Sequence, residues 1–358
     1  MGKIILIDPV QDPRWDRFVE SHPAGWVCHL SGWKQALEKS FGHMKGYYFA
    51  LMDDAGGHIE AGLPVFHVKS CILGDRLVSI PFATLCDPLV SHPSQFRLLF
   101  SSVQALSQSL NCKWIEIRST HAGSHIQGCD LEESNGFKHH YLELKQRPEE
   151  LWRQFHRKAV RYAVRKAQKN GIKVRKGCDS PDASSVDEFF RLYRKTRRRL
   201  GLPLHPFRFF QSLWHFLSPQ GRVQILIAEK DRTVVGGLLV LKFKDRVSAE
   251  YISCDPNLRK LYPSQLLFWE AIQMAGREGF GVFDFGRTDH HYQGLMKFKD
   301  RWATKAVSLP QFFYPPNAVH SVPQDRGSLK QRLLGAVCQH APDFAQTAIG
   351  EFCYRHLG

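Results

Sequence analysis

Apolar and polar positions along the first half of the chain have the spacing of short strands and helices. Residues 1–8 predict a first strand, 31–41 have helical spacing, and 113–118 alternate strictly, as in a half-buried strand. The other elements of this half are three strands and one helix, at 47–52, 59–68, 77–82 and 93–110. This order predicts a mixed α/β or α+β unit that ends near Pro148.

The second half opens with helical spacing from Pro148 to Asn170, where apolar residues recur every three or four positions. Another helix begins at Ser185, which forms a capping-box pattern with Glu188. An antiparallel meander of three strands, a helix and a short strand follow, at 223–229, 234–243, 247–254, 263–278 and 281–286. The paired glycines 236 and 237 indicate a bulge or the close approach of a ligand.

From about Ser321 the pattern changes to two short amphipathic helices, 329–340 and 344–357, around Pro342. Such helices dock on the preceding domain, which we favour, or lie on a membrane surface. The sequence therefore predicts an N-terminal domain over 1–147, a C-terminal domain over 148–320 and a helical tail over 321–358.

Positive charge is concentrated at the start of the second half. The chain carries a formal net charge of +15, and ten Lys or Arg residues lie between Arg153 and Lys176 without an acid. Such a run repels itself unless a polyanion or nearby carboxylates offset it. We expect a phosphate-rich partner such as tRNA, with a solvated helix face as the alternative. The cations expected to bind it are Arg157, Lys158, Arg161, Arg165 and Lys166.

The cysteines and the apolar runs indicate the compartment. Nine cysteines are scattered without a Cys-x-x-Cys pair, which is typical of free thiols in a reducing cytoplasm. The first apolar run is short and meets Asp8, unlike a secretory signal. No uncharged apolar run reaches the roughly 20 residues that span a bilayer. We expect a cytoplasmic protein and leave open peripheral contact with the inner face of the membrane through 329–357.

Several short motifs recur in a fixed order along the chain. They are Ser31-Gly32-Trp33, Pro81-Phe82 with Asp87-Pro88, the basic run 157–167, the segment 190–201, Gly236-Gly237-Leu238-Leu239, Pro263-Ser264-Gln265-Leu266-Leu267, Asp284-Phe285-Gly286-Arg287 and Phe298-Lys299. In this order they resemble the FemAB family of peptidyl and aminoacyl transferases. The resemblance implies an α/β (mixed α+β) fold of two GNAT-like domains in tandem. It also implies transfer of an acyl or aminoacyl group to an amine, often of a peptidoglycan precursor or another cell-envelope molecule.

The donor is suggested by a departure from the related acyl-coenzyme A enzymes. Those enzymes place glycines before a helix whose N-terminus holds the pyrophosphate. The equivalent stretch here is 259–264, with Tyr262 and Ser264 where small residues are expected. This favours aminoacyl-tRNA, with no cofactor, over an acyl-CoA-dependent N-acyltransferase of envelope polysaccharide synthesis. A third reading is a non-catalytic protein that binds polyanions.

The resemblance singles out three residues for catalysis. Lys299 matches the family lysine near the reacting ester, where a cation stabilises developing negative charge, and the alternative is a surface lysine in a basic loop. Asp284 is either a base or a residue that fixes its loop. Glu250 and Tyr251 point to opposite faces of a strand, and we expect Tyr251, from the family pattern, to face the cleft.

Substrate contacts are expected from both halves of the chain. Arg287 follows a buried strand, and its guanidinium suits a phosphate or carboxylate; an ion pair with a nearby aspartate is the alternative. Asp87 binds the acceptor or is a turn residue before proline. Trp33 and Lys34, in and beside the first motif, are further substrate-binding candidates.

The adjacent histidines 290 and 291 invite a metal hypothesis. Neighbouring positions in a loop lack the one-face geometry of a paired ligand set, and no Cys or acid motif completes a site. No metal site is predicted.

Overall fold

A computed structural model describes residues 2–120, 123–126, 128–177, 184–318 and 329–356. The chain forms two compact units: unit 1 comprises 1–137, 308–326 and 351–358, and unit 2 comprises 138–307 and 327–350. Both units are thus discontinuous in sequence. The predicted boundaries at 147/148 and 320/321 divide the chain linearly and do not include these returning segments.

Unit 1 is built on a seven-stranded sheet in the order β1-β2-β3-β4-β5-β14-β6. The strands are β1 Ile4–Ile7, β2 Met44–Met52, β3 Ile59–Val68, β4 Arg76–Val78, β5 Trp114–Arg118, β6 Glu132–Ser134 and β14 Gln311–Tyr314. The helices are α1 Arg14–Ser21, α2 Ser31–Ser40, α3 Pro93–Ser109 and α4 Gly123–Ile126. Strand β14 returns late in the chain and pairs antiparallel with both β5 and β6.

Two predicted strands of unit 1 differ from expectation. The strand predicted at 77–82 ends at Val78, since Pro81 has no N–H for a ladder and Phe82 adopts a positive φ of 59°. Strand β5 is buried along its whole length rather than on one face. Its polar residues tolerate burial because Arg118 Nε donates to Glu116 Oε1 over 2.7 Å.

Unit 2 contains a second seven-stranded sheet, in the order β13-β7-β12-β11-β10-β9-β8. Its strands are β7 Phe137–Glu143, β8 Lys173–Lys176, β9 Val223–Lys230, β10 Thr233–Phe243, β11 Arg246–Cys254, β12 Val282–Asp289 and β13 Lys305–Ser308. Its helices are α5 Pro148–Gln154, α6 Tyr162–Lys169, α7 Ser184–Leu200, α8 Phe207–Leu217, α9 Pro263–Arg277, α10 Gln293–Asp300 and α11 Leu329–His340. Helix α12, Asp343–His356, closes the described chain.

The predicted meander is confirmed as β9-β10-β11, and the bulge lies between Val234 and Gly236. The two glycines allow helices to approach both faces of the sheet. A Cβ on Gly236 would lie 3.0 Å from Leu267 of α9, and one on Gly237 would lie 3.0 Å from Phe189 of α7. Unit 2 is therefore a three-layer arrangement with the sheet between α7 and α9.

The single helix predicted from Pro148 to Asn170 is wrong: this segment has three parts. Helix α5 ends at Gln154, a π-helical turn spans Arg157–Arg161, and α6 follows. The break lies at Phe155 and His156, where the backbone is extended. There the His156 N–H donates to the Arg301 carbonyl over 2.9 Å, and the His156 Nδ1 accepts from the Ala159 N–H over 3.1 Å. These two bonds stabilise a local cap instead of a continuous helix.

The site described below lies where β11 and β12 part. The two strands pair in parallel only at Arg246–Val282, Val247–Phe283 and Ser248–Asp284, although both continue for several residues. Beyond that point no further β11–β12 ladder pair forms, and backbone groups of both strands are released from the ladder. Openings at strand ends are where α/β sheets commonly bind ligands.

Candidate functional site

Asp284, beside the last β11–β12 pair, is fully buried and is the centre of a polar network. Its Oδ2 accepts hydrogen bonds from His139 Nε2 at 2.7 Å and from Arg246 at 3.2 Å. Its Oδ1 accepts from the Gly286 N–H at 2.6 Å. Burial opposes ionisation, but the positive charges and hydrogen bonds outweigh it and lower the pKa of Asp284. Asp284 is thus a buried carboxylate that fixes the following turn.

That turn holds Lys299. Gly286 has a φ of 71°, a conformation that favours glycine. The Lys299 Nζ, from α10, donates to the Gly286 carbonyl over 2.8 Å and to the Arg287 carbonyl over 3.0 Å. Its side chain is buried, and burial lowers its pKa to about 8 against the opposing charges of Asp284 and Glu250. Lys299 is therefore a positioned, weakly acidic ammonium rather than a solvated surface lysine.

Glu250 on β11 faces the same network. Ser248 Oγ donates to its Oε1 over 2.6 Å. Burial, together with the nearby charge of Asp284, raises the pKa of Glu250 to about 7, although Ser248, Lys299 and Arg287 oppose the shift. A carboxyl with a pKa near neutrality can exchange a proton at physiological pH. The pair Glu250 and Lys299 thus places a base and an acid of matched pKa around one strand end.

Tyr251 lies elsewhere. Its ring packs against an aromatic cluster on the opposite side of β11, 5.1 Å between ring centroids from Phe210 and 5.9 Å from Tyr193. His205 completes this cluster, and its Nδ1 forms a 2.7 Å hydrogen bond with the Tyr193 hydroxyl. Burial holds the pKa of His205 well below its ordinary value, so its ring is neutral. The network around Lys299 therefore includes Glu250, and Tyr251 belongs to the aromatic cluster.

The basic run 157–167, the basic segment, carries exposed cations together with an aromatic ring. Arg157, Lys158 and Arg165 are exposed, whereas Arg161 and Lys166 are half-buried. In the described part of the chain, none of these five forms an ion pair with a carboxylate. By contrast, the cations at 175 and 176 pair with three glutamates, Glu188, Glu229 and Glu278. The expected offsetting of charge by carboxylates thus occurs only at the end of the run.

The loop before α9 contacts this segment. Lys166 Nζ lies 5.7 Å from the ring centroids of both Tyr162 and Tyr262. Tyr262 is the N-cap of α9 and adopts a left-handed conformation with φ 61°, which a glycine adopts more readily. Burial and the nearby charge of Arg259 lower the pKa of Arg199. Cations therefore gather around the N-terminus of α9, a position where helices bind anions.

Residues 154–294 match the family model of an acetyltransferase (GNAT) domain. This match confirms the predicted class of enzyme, an acyl- or aminoacyltransferase. No curated protein matches the sequence.

Solved structures with a similar fold include the crystal structure of FemX, with a TM-score of 0.72 and 15% identity over 89% of this chain and 99% of that chain. The structure of L-PGS from Bacillus licheniformis matches with a TM-score of 0.58 and 13% identity, over 93% and 99% of the two chains. A tandem GNAT protein from the clavulanic acid biosynthesis pathway matches with 0.55 and 12%, over 87% and 98%. The chain has the fold of two GNAT-like domains in tandem. The predicted fold class and the predicted resemblance to the FemAB family are thereby confirmed at the level of the fold.

Three of the predicted substrate-binding residues lie in unit 1. Asp87 is buried and accepts hydrogen bonds from the Ser119 hydroxyl at 2.8 Å and from the Thr120 N–H and hydroxyl at 2.7 and 2.6 Å. Trp33 is buried on α2, and beside it Lys34 Nζ lies 2.9 Å from Glu38. These bonds tie the loop that carries Asp87 to Ser119 and Thr120, directly after β5.

The remaining predicted residues are Arg287 and the adjacent histidines 290 and 291. Arg287 is exposed, with its carbonyl engaged by Lys299 and its charge acting on Glu250. His291 pairs with Asp289 at 3.0 Å. Among the described residues, no group of three or more His, Cys, Asp or Glu is arranged to hold a metal ion.

Sequence reasoning missed His139, His140 and Arg246. The two histidines lie on β7, a strand whose sequence Phe-Lys-His-His-Tyr-Leu-Glu has too many polar residues to predict burial. His140 is fully buried, and burial with the nearby charge of Lys299 lowers its pKa to about 4. Arg246 begins β11 after a turn. Only the clustering of three titratable residues at 138–140 offered a signal.

Proposed function

We propose that this protein transfers an aminoacyl group from aminoacyl-tRNA to an amine of a peptidoglycan-type cell-envelope precursor, acting in the cytoplasm. The observation that carries the proposal is the buried Lys299 held by two backbone carbonyls beside Glu250. The similarity of the fold to FemX and to L-PGS supports the proposal. The exposed cations of the basic segment and the cationic N-terminus of α9 favour a phosphate-rich donor.

The reaction needs few groups. The acceptor amine attacks the ester carbonyl carbon of the donor, and a C–N bond forms while the carbonyl oxygen becomes an oxyanion. In the described part of the chain, protein acceptors engage two of the three N–H groups of Lys299. The third is the donor we assign to the oxyanion, where such a hydrogen bond contributes about 10²–10³ in rate.

Proton transfer completes the reaction. Glu250, with a pKa of about 7, takes the proton that the attacking nitrogen releases. As the ester C–O bond breaks, that proton passes to the leaving ribose oxygen, which yields an amide and deacylated tRNA. Asp284 and His139 hold the β12 turn and so position Lys299 without touching the reacting atoms. The exposed guanidinium of Arg287 is suited to a phosphate or carboxylate of the acceptor.

An acyl-CoA donor is the second candidate, and one observation favours it. Tyr262 keeps the left-handed backbone before α9 that a phosphate-binding glycine would adopt, so the loop geometry survives the change of residue. Pro263 at the first position of α9 removes one N–H donor from that site. This candidate is an N-acyltransferase of envelope polysaccharide synthesis. A non-catalytic polyanion-binding protein is the third candidate, and it requires no role for Lys299.

One assay separates the three. The protein is incubated with an amine-bearing peptidoglycan precursor and either labelled aminoacyl-tRNA or labelled acetyl-CoA, and the label in the precursor is counted. Transfer from tRNA that Lys299→Met abolishes and Lys297→Met preserves supports the proposal. Transfer from acetyl-CoA alone establishes the second candidate. Salt-dependent tRNA binding without transfer from either donor establishes the third.

A further inference from the structure

Helix α11 has one packed side and one bare side. Its packed side lies against α7, where Arg198 donates to the Ala341 carbonyl over 2.8 Å, and Cys338 is 1% exposed. Gln346 of the next helix is buried and donates to the Cys338 carbonyl over 2.9 Å. The predicted docking of 329–340 on the domain is therefore confirmed for one side of the helix.

The bare side is apolar. Leu333 and Val337, one turn apart on α11, are 59% and 52% exposed, and Phe344 in the first turn of α12 is 80% exposed. Phe344 precedes the buried Gln346 by two positions, which places it roughly 200° away around the helix. Leu333 and Val337 are thus exposed on α11 and Phe344 on α12, and we call these three residues the C-terminal apolar face. Large apolar side chains grouped in solvent mark interaction or membrane sites.

The charged residues of α11 have one sign. Residues 329–342 contain Lys330, Arg332 and His340 but no Asp or Glu. The following acid, Asp343, is paired with two arginines of α7, Arg194 at 2.9 Å and Arg198 at 2.6 Å. Exposed apolar residues on a helix with basic residues and no acid, followed by an acid that is paired, are complementary to a surface of anionic headgroups over hydrocarbon.

We propose that the C-terminal apolar face docks on an anionic lipid surface. Phe344, Val337 and Leu333 enter the headgroup–acyl boundary, while Arg332 approaches the headgroups. Among the described residues no helix is both long and apolar enough to cross a bilayer, so the contact is peripheral. The binding combines apolar burial with electrostatic attraction and is therefore reversible and salt-sensitive.

The test is co-sedimentation of the full chain with vesicles. Wild-type protein should bind vesicles that contain phosphatidylglycerol, bind phosphatidylcholine vesicles weakly, and lose anionic binding as salt is added. The double variant Val337→Ser/Phe344→Ser should bind at least about tenfold more weakly, because each buried apolar side chain contributes roughly an order of magnitude. Both side chains are exposed, so the variant should keep the wild-type melting temperature.

Leu98→Ser is the matched control, since Leu98 is 40% exposed on α3 and lies outside the face; its vesicle binding should equal that of the wild type. Equal binding by the double variant, or no preference for anionic vesicles, would overturn the proposal. The proposal would also be overturned if sedimentation velocity showed a concentration-dependent dimer for the wild type and for Leu98→Ser but not for the double variant. The face would then bind a second copy of the chain. None of these readouts depends on transferase activity.

Discussion

His139 Nε2 lies 2.7 Å from Asp284 Oδ2, and both side chains are almost completely buried. This bond joins β7 to the strand that carries the Asp284–Arg287 turn. Because Asp284 also receives the Gly286 N–H, its charge determines the position of the carbonyl that holds Lys299. One carboxylate therefore links the packing of unit 2 to the geometry of the candidate site.

Asp284→Asn should strongly destabilise unit 2. Removing one partner of a buried pair leaves the other charge without compensation, and such changes cost about 3–5 kcal/mol of unfolding free energy. Urea unfolding followed by tryptophan fluorescence measures the loss. Asp300→Asn is the control, because that side chain is 60% exposed and should change stability by less than about 0.5 kcal/mol. Equal stability of the two variants would contradict the buried network.

The same carboxylate should make the wild type sensitive to acid. The pKa of folded Asp284 is below its unfolded value, so its stabilisation is present above the unfolded pKa and is lost as the pH falls through the folded pKa. The difference in unfolding free energy between wild type and Asp284→Asn should shrink from neutral pH to about pH 3. Chemical denaturation at the two pH values measures it, and a constant difference would exclude an ionised Asp284.

Transfer activity should have a bell-shaped pH dependence. Glu250 must be ionised to accept a proton, so the rate should rise through its pKa of about 7. Lys299 must be charged to donate to an oxyanion, so the rate should fall above its pKa of about 8. A pH profile of kcat/KM for wild type and Glu250→Gln tests both limbs. The variant should be slow and should lack the rising limb; if it keeps that limb, another group is the base.

Lys299→Met should reduce kcat by about 10²–10³, the usual cost of one lost oxyanion donor. Methionine keeps the length of the side chain and removes the charge. Lys297→Met is the matched control two positions away, where the lysine is exposed, and it should retain wild-type kcat. Lys299→Met also leaves the Gly286 and Arg287 carbonyls without their donor, so circular dichroism must show that the variant is folded at the assay temperature before the two kcat values are compared. Equal kcat for the two variants would exclude a catalytic role.

Lys166→Ala should weaken tRNA binding and reduce the slope of log K against log salt by about one, the change expected for one lost phosphate contact. Its ammonium group lies over two tyrosine rings beside the N-terminus of α9. Lys305→Ala is the control, since Lys305 on β13 pairs with Glu143 at 2.8 Å. Filter binding at several salt concentrations measures both slopes. An unchanged slope for Lys166→Ala would remove that residue from the phosphate contacts.

Periodicity and turn chemistry predicted most of the regular elements. The meander, α9 and the bulge at Gly236 were predicted because each shows its own period or glycine signal. Helices α1 and α8 were not predicted, although a proline stands directly before each of them, Pro13 and Pro206. Strand β7 was missed for another reason. His139 is tolerated in the interior because Asp284, 145 positions later, accepts a hydrogen bond from it.

The candidate site was predictable in part. The motif resemblance indicated Lys299, Asp284 and Arg287, and the structure brings them together at one turn. The alternation rule showed that Glu250 and Tyr251 face opposite ways but not which of them faces the site. That choice depends on where Phe210 and Lys299 lie in space, because the aromatic cluster surrounds one residue and the charges surround the other. The sequence around Glu250 and Tyr251 does not show where Phe210 and Lys299 lie in the fold.

The π-helical turn at Arg157–Arg161 determines the helical register of α6, which follows it directly. It holds one more residue than an α-helical turn would need, and the wider turn takes up the rotation of about 100° that this residue would otherwise cause. The turn therefore sets which side chains of α6 are buried, Ala163 and Ala167 among them, and brings Lys166 beside Tyr262. A change that tightened this turn to α-helical geometry without removing a residue would rotate α6 out of that register.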